Sequence, residues 1–139
     1  MNDVDLGRLA GPTVLLVIDV DEFKTINDRY SHSAGDQVLR EISDVLRANC
    51  RAQDVPIRYA GDEFVVFLNT DLAGARHVAE RIRTAISDAT LDHIAGGLRV
   101  SVSIGAAPHR PGLPAHELFN AADTNLYQAK RAGRDRVAA

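Results

Sequence analysis

Apolar runs along the chain predict its β-strands. Residues 14–18 and 64–68 are continuously apolar and rich in β-branched or aromatic side chains, which is typical of strands buried on both faces. Residues 98–104 alternate between apolar and polar side chains, which predicts a strand with one buried face. Residues 56–59 form a shorter candidate strand. Ala60-Gly61 then predicts a hairpin turn, because glycine tolerates the positive φ that such turns need.

Helical periodicity fills the segments between these strands. Apolar side chains recur at helical spacing in residues 36–46, 72–86 and 115–129. Residues 21–27 predict a short helix, followed by a polar loop to residue 33. The resulting order, βαββαβα, predicts an α/β domain of the α+β kind, in which helices pack on a sheet that contains antiparallel strands.

The composition is that of one ordinary globular domain. Of 139 residues, 45% are hydrophobic and 25% are charged, and the net charge of −3 argues against a nucleic-acid partner. The single cysteine, Cys50, excludes an internal disulfide, and no apolar run approaches the ~20 residues of a membrane span. We expect a cytoplasmic domain with no membrane contact of its own, which leaves open a longer, membrane-anchored parent protein. Residues 1–12 are polar and predict a lead-in to a domain of residues 13–139.

Two pairs of acidic residues stand where predicted strands end or turn. Asp19 ends the first buried strand and Asp21 follows it, while Asp62 and Glu63 come directly after Gly61. An acid at the point where a buried strand emerges is well placed to bind a metal or to lie beside a phosphate. Acidic pairs in turns are usually only solvated, so these residues alone leave the structural and the functional interpretation open.

Several longer motifs, in one order and at one spacing, resemble the GGDEF (diguanylate cyclase) family. They are Ile18-Asp19-Val20-Asp21-Glu22-Phe23-Lys24-Thr25-Ile26-Asn27-Asp28, Gly35-Asp36, Arg58-Tyr59-Ala60-Gly61-Asp62-Glu63-Phe64, Ser103-Ile104-Gly105, Ala122-Asp123 and Leu126-Tyr127-Gln128-Ala129-Lys130-Arg131-Ala132-Gly133-Arg134. The resemblance covers nearly the whole chain from Val14 onward. It implies the palm-like nucleotidyl cyclase fold, an elaboration of the ferredoxin-like arrangement with a mostly antiparallel central sheet flanked by helices.

The chain departs from the family pattern at a few positions. Ala60 replaces the first glycine of the family signature, Asp135 replaces the usual asparagine, and Ser31 stands where glycine is common. The lead-in lacks the family's Asp-x-Leu-Thr-x-Leu-x-Asn-Arg helix, so it is either a truncated helix or a departure of this domain. We expect activity to survive the alanine at position 60, because Gly61 is retained.

The resemblance implies a Mg²⁺ (or Mn²⁺) site with Asp19 and Asp62 as ligands and the Val20 carbonyl as an additional one. Mg²⁺ takes one or two carboxylates and completes its shell with phosphate oxygens and water. The resemblance also implies that Asp62 or Glu63 is the catalytic group that helps to deprotonate an attacking 3′-hydroxyl.

The same resemblance assigns the remaining substrate contacts. Phosphates would be held by Phe23 through its backbone, and by Lys24, Lys130 and Arg134, while guanine would be recognised by Asn27 and Asp36. Each position also has a structural interpretation. Cations complement the dipole at a helix C-terminus, and Asn and Asp are common in loops and at helix starts.

Arg51 and Asp54 precede the family signature at the spacing of its inhibitory site, and Arg81 resembles a secondary arginine of that site. An arginine can bind a phosphate or a guanine edge bidentately, so the residue types suit cyclic di-GMP. The alternative is an exposed Arg–Asp pair with little energetic value.

The resemblance implies an enzyme that condenses two GTP into cyclic di-GMP and releases two pyrophosphates. Because each domain would hold one GTP, catalysis requires a homodimer, at least transiently. A second hypothesis is a catalytically silent module that binds cyclic di-GMP or GTP as a sensor. A third is a cyclase that makes a mononucleotide, against which Asn27 and Asp36 argue.

Overall fold

The computed structural model describes residues 11–139, and the following account concerns those residues. The predicted lead-in of residues 1–12 therefore lies outside the described part except for its last two positions. In chain order the elements are β1 (Val14–Val20), α1 (Phe23–Arg29), α2 (His32–Asn49), β2 (Val55–Ala60), β3 (Glu63–Leu68), α3 (Leu72–Asp88), β4 (Val102–Pro108), α4 (Ala115–Arg131) and β5 (Val137–Ala138).

One five-stranded sheet, in the order β2-β3-β1-β4-β5, organises the domain. The central strand β1 pairs antiparallel with both β3 and β4, and β2 completes a hairpin with β3. Only the short β5 is parallel to its neighbour. The prediction of a mostly antiparallel sheet with packed helices is therefore confirmed.

Helices cover both faces of β1, which explains why residues 14–18 are all apolar. Leu16 and Ile18 face a core that includes Val38 and Ile42 of α2 and Ile82 of α3. Leu15 and Val17 face a smaller core with Leu118 and Leu126 of α4. All five residues of the run are completely buried, as the continuous apolar pattern predicts.

A glycine sets the distance between α4 and the sheet. A Cβ built on Gly105 of β4 would lie 2.1 Å from the backbone oxygen of Ala122 and 2.2 Å from the nitrogen of Leu126. Any side chain at this position would push the helix away. Because α4 carries Lys130 at its C-terminal end, Gly105 also determines how close that lysine comes to the end of β1.

The fourth strand differs from its prediction. It runs over Val102–Pro108 rather than residues 98–104, and it is buried on both faces, with Ser103 fully enclosed. Leu98 and Val100 are buried as well, but they precede the strand in irregular backbone. The alternation of residues 98–104 thus reflects burial in a packed loop followed by a strand. Strand β5 was not predicted, because two residues carry no periodic signal.

Other boundaries moved by a few residues. Helix α2 begins at His32, inside the predicted loop, because the Ser31 hydroxyl accepts a hydrogen bond from the Ala34 N–H at 3.0 Å and caps the helix. The hairpin turn lies at Gly61 and Asp62, one residue later than predicted, since Ala60 still pairs with Glu63. Among residues 11–139, every helix is too short or too polar to cross a membrane.

Candidate active site

The two acidic pairs meet at one edge of the sheet, where β1 ends beside the β2–β3 turn. Asp19 lies opposite Glu63 in the antiparallel register, and the Val20 N–H donates to the Asp62 carbonyl at 3.2 Å. Gly61 adopts a positive φ of 49° in the turn, which glycine tolerates at no steric cost. The Arg58 guanidinium donates to the Gly61 carbonyl at 3.0 and 3.3 Å and holds the turn.

Among these acids, Asp19 is the one that pairs with a lysine. Its side chain is only 14% exposed, and Lys130 from α4 donates to its Oδ2. Its Oδ1 is buried and has no hydrogen-bond partner among the described residues. Burial raises the pKa of the Asp19 carboxyl, the Lys130 hydrogen bond opposes that rise, and the Asp62 carboxylate adds to it. An unpaired buried oxygen beside a second carboxylate suits a cation better than it suits stability.

Glu63 belongs to the same electrostatic cluster. Burial raises the pKa of its carboxyl, and the charges of Asp19 and Asp123 raise it further. The pKa of Lys130 is also raised, although burial lowers it, because it faces Asp19, Asp62 and Glu63. Asp123 was not among the predicted site residues, although Ala122-Asp123 belongs to the motifs that resemble the family. It lies seven residues, or about two helical turns, before Lys130 on α4.

The proposed phosphate ligands lie on two neighbouring segments. Phe23 and Lys24 begin α1, and Lys24 is exposed, while Arg134 lies in the turn after α4. Arg134 also lines a cleft of about 440 Å³ between α1 and the segments of residues 98–101 and 133–135. In the described part of the chain, the Arg134 guanidinium makes no hydrogen bond or ion pair. Cations therefore lie near the end of the sheet where the acidic residues cluster. Their role in binding phosphates remains a proposal.

The proposed guanine ligands come from α1 and α2. Asn27 has a buried Oδ1 without a hydrogen-bond partner among residues 11–139, and Asp36 is exposed in the first turns of α2. Gly35 makes room for Asn27, because a Cβ at Gly35 would lie 1.9 Å from the Asn27 Oδ1. An unsatisfied amide oxygen pressed against a glycine is an arrangement that a donor-bearing ligand would complete.

Asp21 has a different role from Asp19. It is 9% exposed, and its carboxylate accepts hydrogen bonds from the hydroxyls of Ser101 and Ser103, each at 2.6 Å, and from the Asp135 N–H at 3.0 Å. The Asp21 N–H donates to the Ser101 carbonyl at 2.9 Å. Sequence reasoning grouped Asp21 with the candidate ligands. The structure shows that it joins the end of β1, the start of β4 and the turn after α4.

The residues of the proposed inhibitory site are close in the structure but differ in character. Asp54 is 8% exposed, and its carboxylate accepts from the backbone N–H groups of Arg51 at 2.8 Å and Asn69 at 2.9 Å. The Arg51 guanidinium is exposed and donates to the Asn69 carbonyl at 3.0 Å. Arg81 reaches from α3 to the Asn49 side chain at 2.8 Å. Asp54 is thus a structural acid, and the two arginines are the accessible groups.

With its mostly antiparallel five-stranded sheet and four flanking helices, the chain has the palm-like nucleotidyl cyclase fold. The family described as diguanylate cyclase, GGDEF domain, matches residues 5–136. The chain belongs to that family.

Relatives and solved structures agree with this assignment. The chain is 40% identical over 128 residues to diguanylate cyclase DgcS of Shewanella oneidensis, covering 92% of this chain and 42% of that protein. It is 45% identical over 130 residues to response regulator PleD of Caulobacter vibrioides, covering 91% and 29%. The GGDEF domain of DgcB from Caulobacter crescentus, solved in complex with c-di-GMP, superposes with a TM-score of 0.85 at 31% identity, covering 91% of this chain and 77% of that one. The chain spans less than half the length of the two curated relatives.

Proposed function

We propose that this chain is a diguanylate cyclase domain, which condenses two GTP into cyclic di-GMP and releases two pyrophosphates. The observation that carries the proposal is the cluster of Asp19, Asp62 and Glu63 beside Lys130, at the sheet edge where β1 meets the β2–β3 turn. These are positions at which the chain keeps the family's acids and cation. The intact cluster favours the enzyme over the catalytically silent module.

The donor set fits a Mg²⁺ or Mn²⁺ ion. Within residues 11–139, no three or more His, Cys, Asp or Glu side chains are grouped to hold a metal by themselves. The protein would therefore contribute Asp19, Asp62 and the Val20 carbonyl, and substrate phosphates and water would complete the shell. When bound, such an ion neutralises triphosphate charge and lowers the pKa of the attacking hydroxyl. The buried, unpaired Oδ1 of Asp19 supports its assignment as a ligand.

The chain's own residues supply positioning and a proton acceptor. Lys24, Lys130 and Arg134 would hold the β- and γ-phosphates, while Asn27 and Asp36 would select guanine. The 3′-hydroxyl of one GTP then attacks the α-phosphorus of the other, its proton passes to Asp62 or Glu63, and pyrophosphate leaves.

The reaction requires two domains face to face, because each contributes one bound GTP and one attacking hydroxyl. We therefore propose at least a transient homodimer, acting in the cytoplasm where GTP is available. For this chain by itself, the rate per mole of protein is expected to rise with protein concentration. A rate per mole that is independent of concentration over a wide range would argue against catalysis between two domains.

The direct test is incubation of concentrated protein with GTP and Mg²⁺, followed by chromatography for cyclic di-GMP and pyrophosphate. We expect product from the wild type and a rate lower by at least about 100-fold for Asp62→Ala, because this variant loses a proposed metal ligand and a candidate proton acceptor. Asp88→Ala, an exposed acid at the end of α3, is the matched control and should be unaffected. Equal rates for Asp62→Ala and the wild type would overturn the proposal.

We also propose that cyclic di-GMP binds at Arg51 and Arg81 as a product inhibitor. Arg51→Ala is the sharper test, because Asp54 holds backbone in place and its removal would disturb the fold as well as the site. We expect Arg51→Ala to weaken cyclic di-GMP binding and inhibition, while Arg47→Ala, an exposed arginine at the end of α2, should not. Unchanged cyclic di-GMP affinity in Arg51→Ala would show that cyclic di-GMP does not bind at this site.

A further inference from the structure

The turn after α4 has a backbone conformation that needs external support. Gly133, Arg134 and Asp135 all have positive φ, at 124°, 62° and 47°. Two of the three carry side chains, and L-residues adopt this left-handed region at a cost. A non-glycine residue is held there only when its surroundings fix it. The same turn carries Arg134, a proposed ligand of the substrate phosphates.

Several contacts hold this turn, and the most deeply buried of them is made by Asp21. The Arg134 N–H donates to the Ala129 carbonyl at 3.0 Å, which continues the end of α4. The Asp135 side chain accepts from Arg83 of α3 at 2.9 Å, on the surface. The Asp135 N–H donates to the Asp21 carboxylate at 3.0 Å, and that carboxylate is itself fixed by Ser101 and Ser103.

The three hydrogen-bond donors around position 21 explain why an acid stands there. Both serine hydroxyls and the backbone N–H point at one carboxylate, and an ionised carboxylate only accepts, so all three groups are satisfied together. Ser103 is fully buried and has no access to water as an alternative partner. A charge-assisted bond to the Asp135 N–H is stronger than one to a neutral acceptor. Asp21 therefore anchors the left-handed turn to the rigid start of β4.

We propose that Asp21 is a positioning residue for the substrate triphosphate, acting through the turn of residues 133–135 to place Arg134. This inference rests on the proposed function, since it takes Arg134 as a phosphate ligand. The inference gives the two acids of one motif different roles. Asp19 would bind the metal, and Asp21 would position Arg134, which would bind the terminal phosphates. The inference also gives Asp135, where the family usually has asparagine, a second anchor through Arg83.

The test compares the binding of an α,β-methylene GTP analogue, whose α–β bridge cannot be cleaved, with the binding of GMP by calorimetry in Mg²⁺. Asp21→Ala should lose affinity for the triphosphate by about 10-fold, as is typical when a group that orients a ligand-binding residue is removed. Its affinity for GMP, which lacks the β- and γ-phosphates, should stay within about twofold of the wild type, since Asn27 and Asp36 are untouched. If Asp21 had only a structural role, Asp21→Ala would lower the affinities for the analogue and for GMP together.

Conservative replacement provides a rescue. In Asp21→Asn the amide oxygen can still accept from Ser101 and the Asp135 N–H, while the amide nitrogen donates to the Ser103 oxygen. This variant should therefore keep more of the preference for the triphosphate than Asp21→Ala does, although the Ser103 hydroxyl proton loses its acceptor. If Asp21→Ala does not fold, Ser101→Ala removes one donor from the same carboxylate and should lower the triphosphate preference by a smaller factor, with GMP binding unchanged.

The outcomes separate this inference from the proposed function. A wild-type protein that binds the triphosphate analogue no better than GMP would overturn the phosphate assignment and, with it, the inference. A wild-type preference that persists undiminished in Asp21→Ala, or in Ser101→Ala where the alanine at position 21 prevents folding, would overturn the inference alone. Equal losses for the analogue and for GMP would also overturn it.

Discussion

Asp19 and Asp21 are two residues apart in the chain, and both are largely buried, but their environments are opposite. The Asp21 carboxylate accepts hydrogen bonds from two hydroxyls and one backbone N–H. The Asp19 carboxylate has one buried oxygen without a partner in the described part of the chain, a single ion pair with Lys130, and like charges nearby. The environment of Asp21 is that of a structural acid, whereas the environment of Asp19 fits its proposed role as a metal ligand.

The contrast shows that the groups that destabilise the fold are concentrated at the proposed active site. A buried polar atom without a partner costs free energy, and like charges at close range cost more. The cluster of Asp19, Asp62 and Glu63 incurs both costs, and the β1–β3 register holds it together. Asp54 resembles Asp21 instead, because both of its oxygens accept backbone N–H groups. Acids of this domain can thus be sorted by how completely they are hydrogen-bonded.

The contrast between Asp19 and Asp21 is tested by replacing each acid and measuring unfolding in urea. Asp21→Ala should lower the free energy of unfolding by about 2–4 kcal/mol, because it leaves buried donors unpaired. Asp19→Asn should leave the free energy of unfolding unchanged or raise it, because the cost of burying the Asp19 charge and its repulsion from Asp62 outweigh the ion pair with Lys130. A loss in Asp19→Asn as large as that in Asp21→Ala would contradict the distinction.

Asp54→Ala should behave as Asp21→Ala does, with a smaller loss of about 1–3 kcal/mol, because two backbone N–H groups lose their acceptor. Asp44→Ala is the matched control. Its side chain is 72% exposed and, within residues 11–139, pairs with Arg47 alone at 3.4 Å, so its removal should change stability by less than about 0.5 kcal/mol. Equal effects of the two substitutions in thermal unfolding would show that Asp54 is not structural.

Gly35→Ala should weaken GTP binding by about tenfold, or about 1.4 kcal/mol, with little change in melting temperature. The new methyl group displaces the flexible Asn27 side chain, on which guanine selection is proposed to depend. In an Asn27→Ala background the same substitution should add nothing, because residues that act through one contact are not additive. Additive losses in this double-mutant cycle would separate Gly35 from Asn27.

Glu63→Gln should raise the melting temperature at neutral pH, because it removes a half-buried charge that lies among other carboxylates. The rise should be only about 1–3 °C, since partly exposed charges interact weakly. The pKa of Glu63 is raised in the folded protein, so wild-type stability falls as the pH rises through that value, and the glutamine variant avoids this loss. At acidic pH, where the glutamate is protonated in both states, the difference should vanish. Calorimetry over this pH range that showed a growing advantage at low pH would contradict the assignment.

Ala60→Gly should have the smallest effect, with less than about a twofold change in activity. Ala60 is not among the residues with positive φ, and it pairs with Glu63 at the end of β2, so its methyl group causes no strain. Glycine there loses backbone entropy and should slightly lower the melting temperature. A large gain in cyclic di-GMP formation on this substitution would show that the alanine impairs the turn.

The sequence predicted the parts of the fold that periodicity encodes. Continuous apolar runs located β1 and β3, and helical spacing located α2, α3 and α4. The start of β4 was wrong because Leu98 and Val100 are buried without belonging to a strand, and burial alone produced the alternation. The short β5 has no pattern of its own, and it forms only because residues 137 and 138 lie beside β4.

For the candidate site, the sequence predicted which residues gather but not what each one does. The family motifs brought Asp19, Asp62, Glu63 and Lys130 together, and the structure shows them clustered. The role of Asp21 could not be read from its motif, because its partners Ser101, Ser103 and Asp135 lie 80 or more residues away in sequence. The burial of Asp54 was missed for the same reason, since one of its two donors, Asn69, comes from the end of the next hairpin.

The proposed role of Asp19 is decided by measuring cyclic di-GMP formation by wild type and Asp19→Asn, at one high protein concentration with GTP and Mg²⁺. We expect product from the wild type and almost none from Asp19→Asn, although that variant should melt at the same temperature or higher. A wild type without product, or an Asp19→Asn variant as active as the wild type, would contradict it.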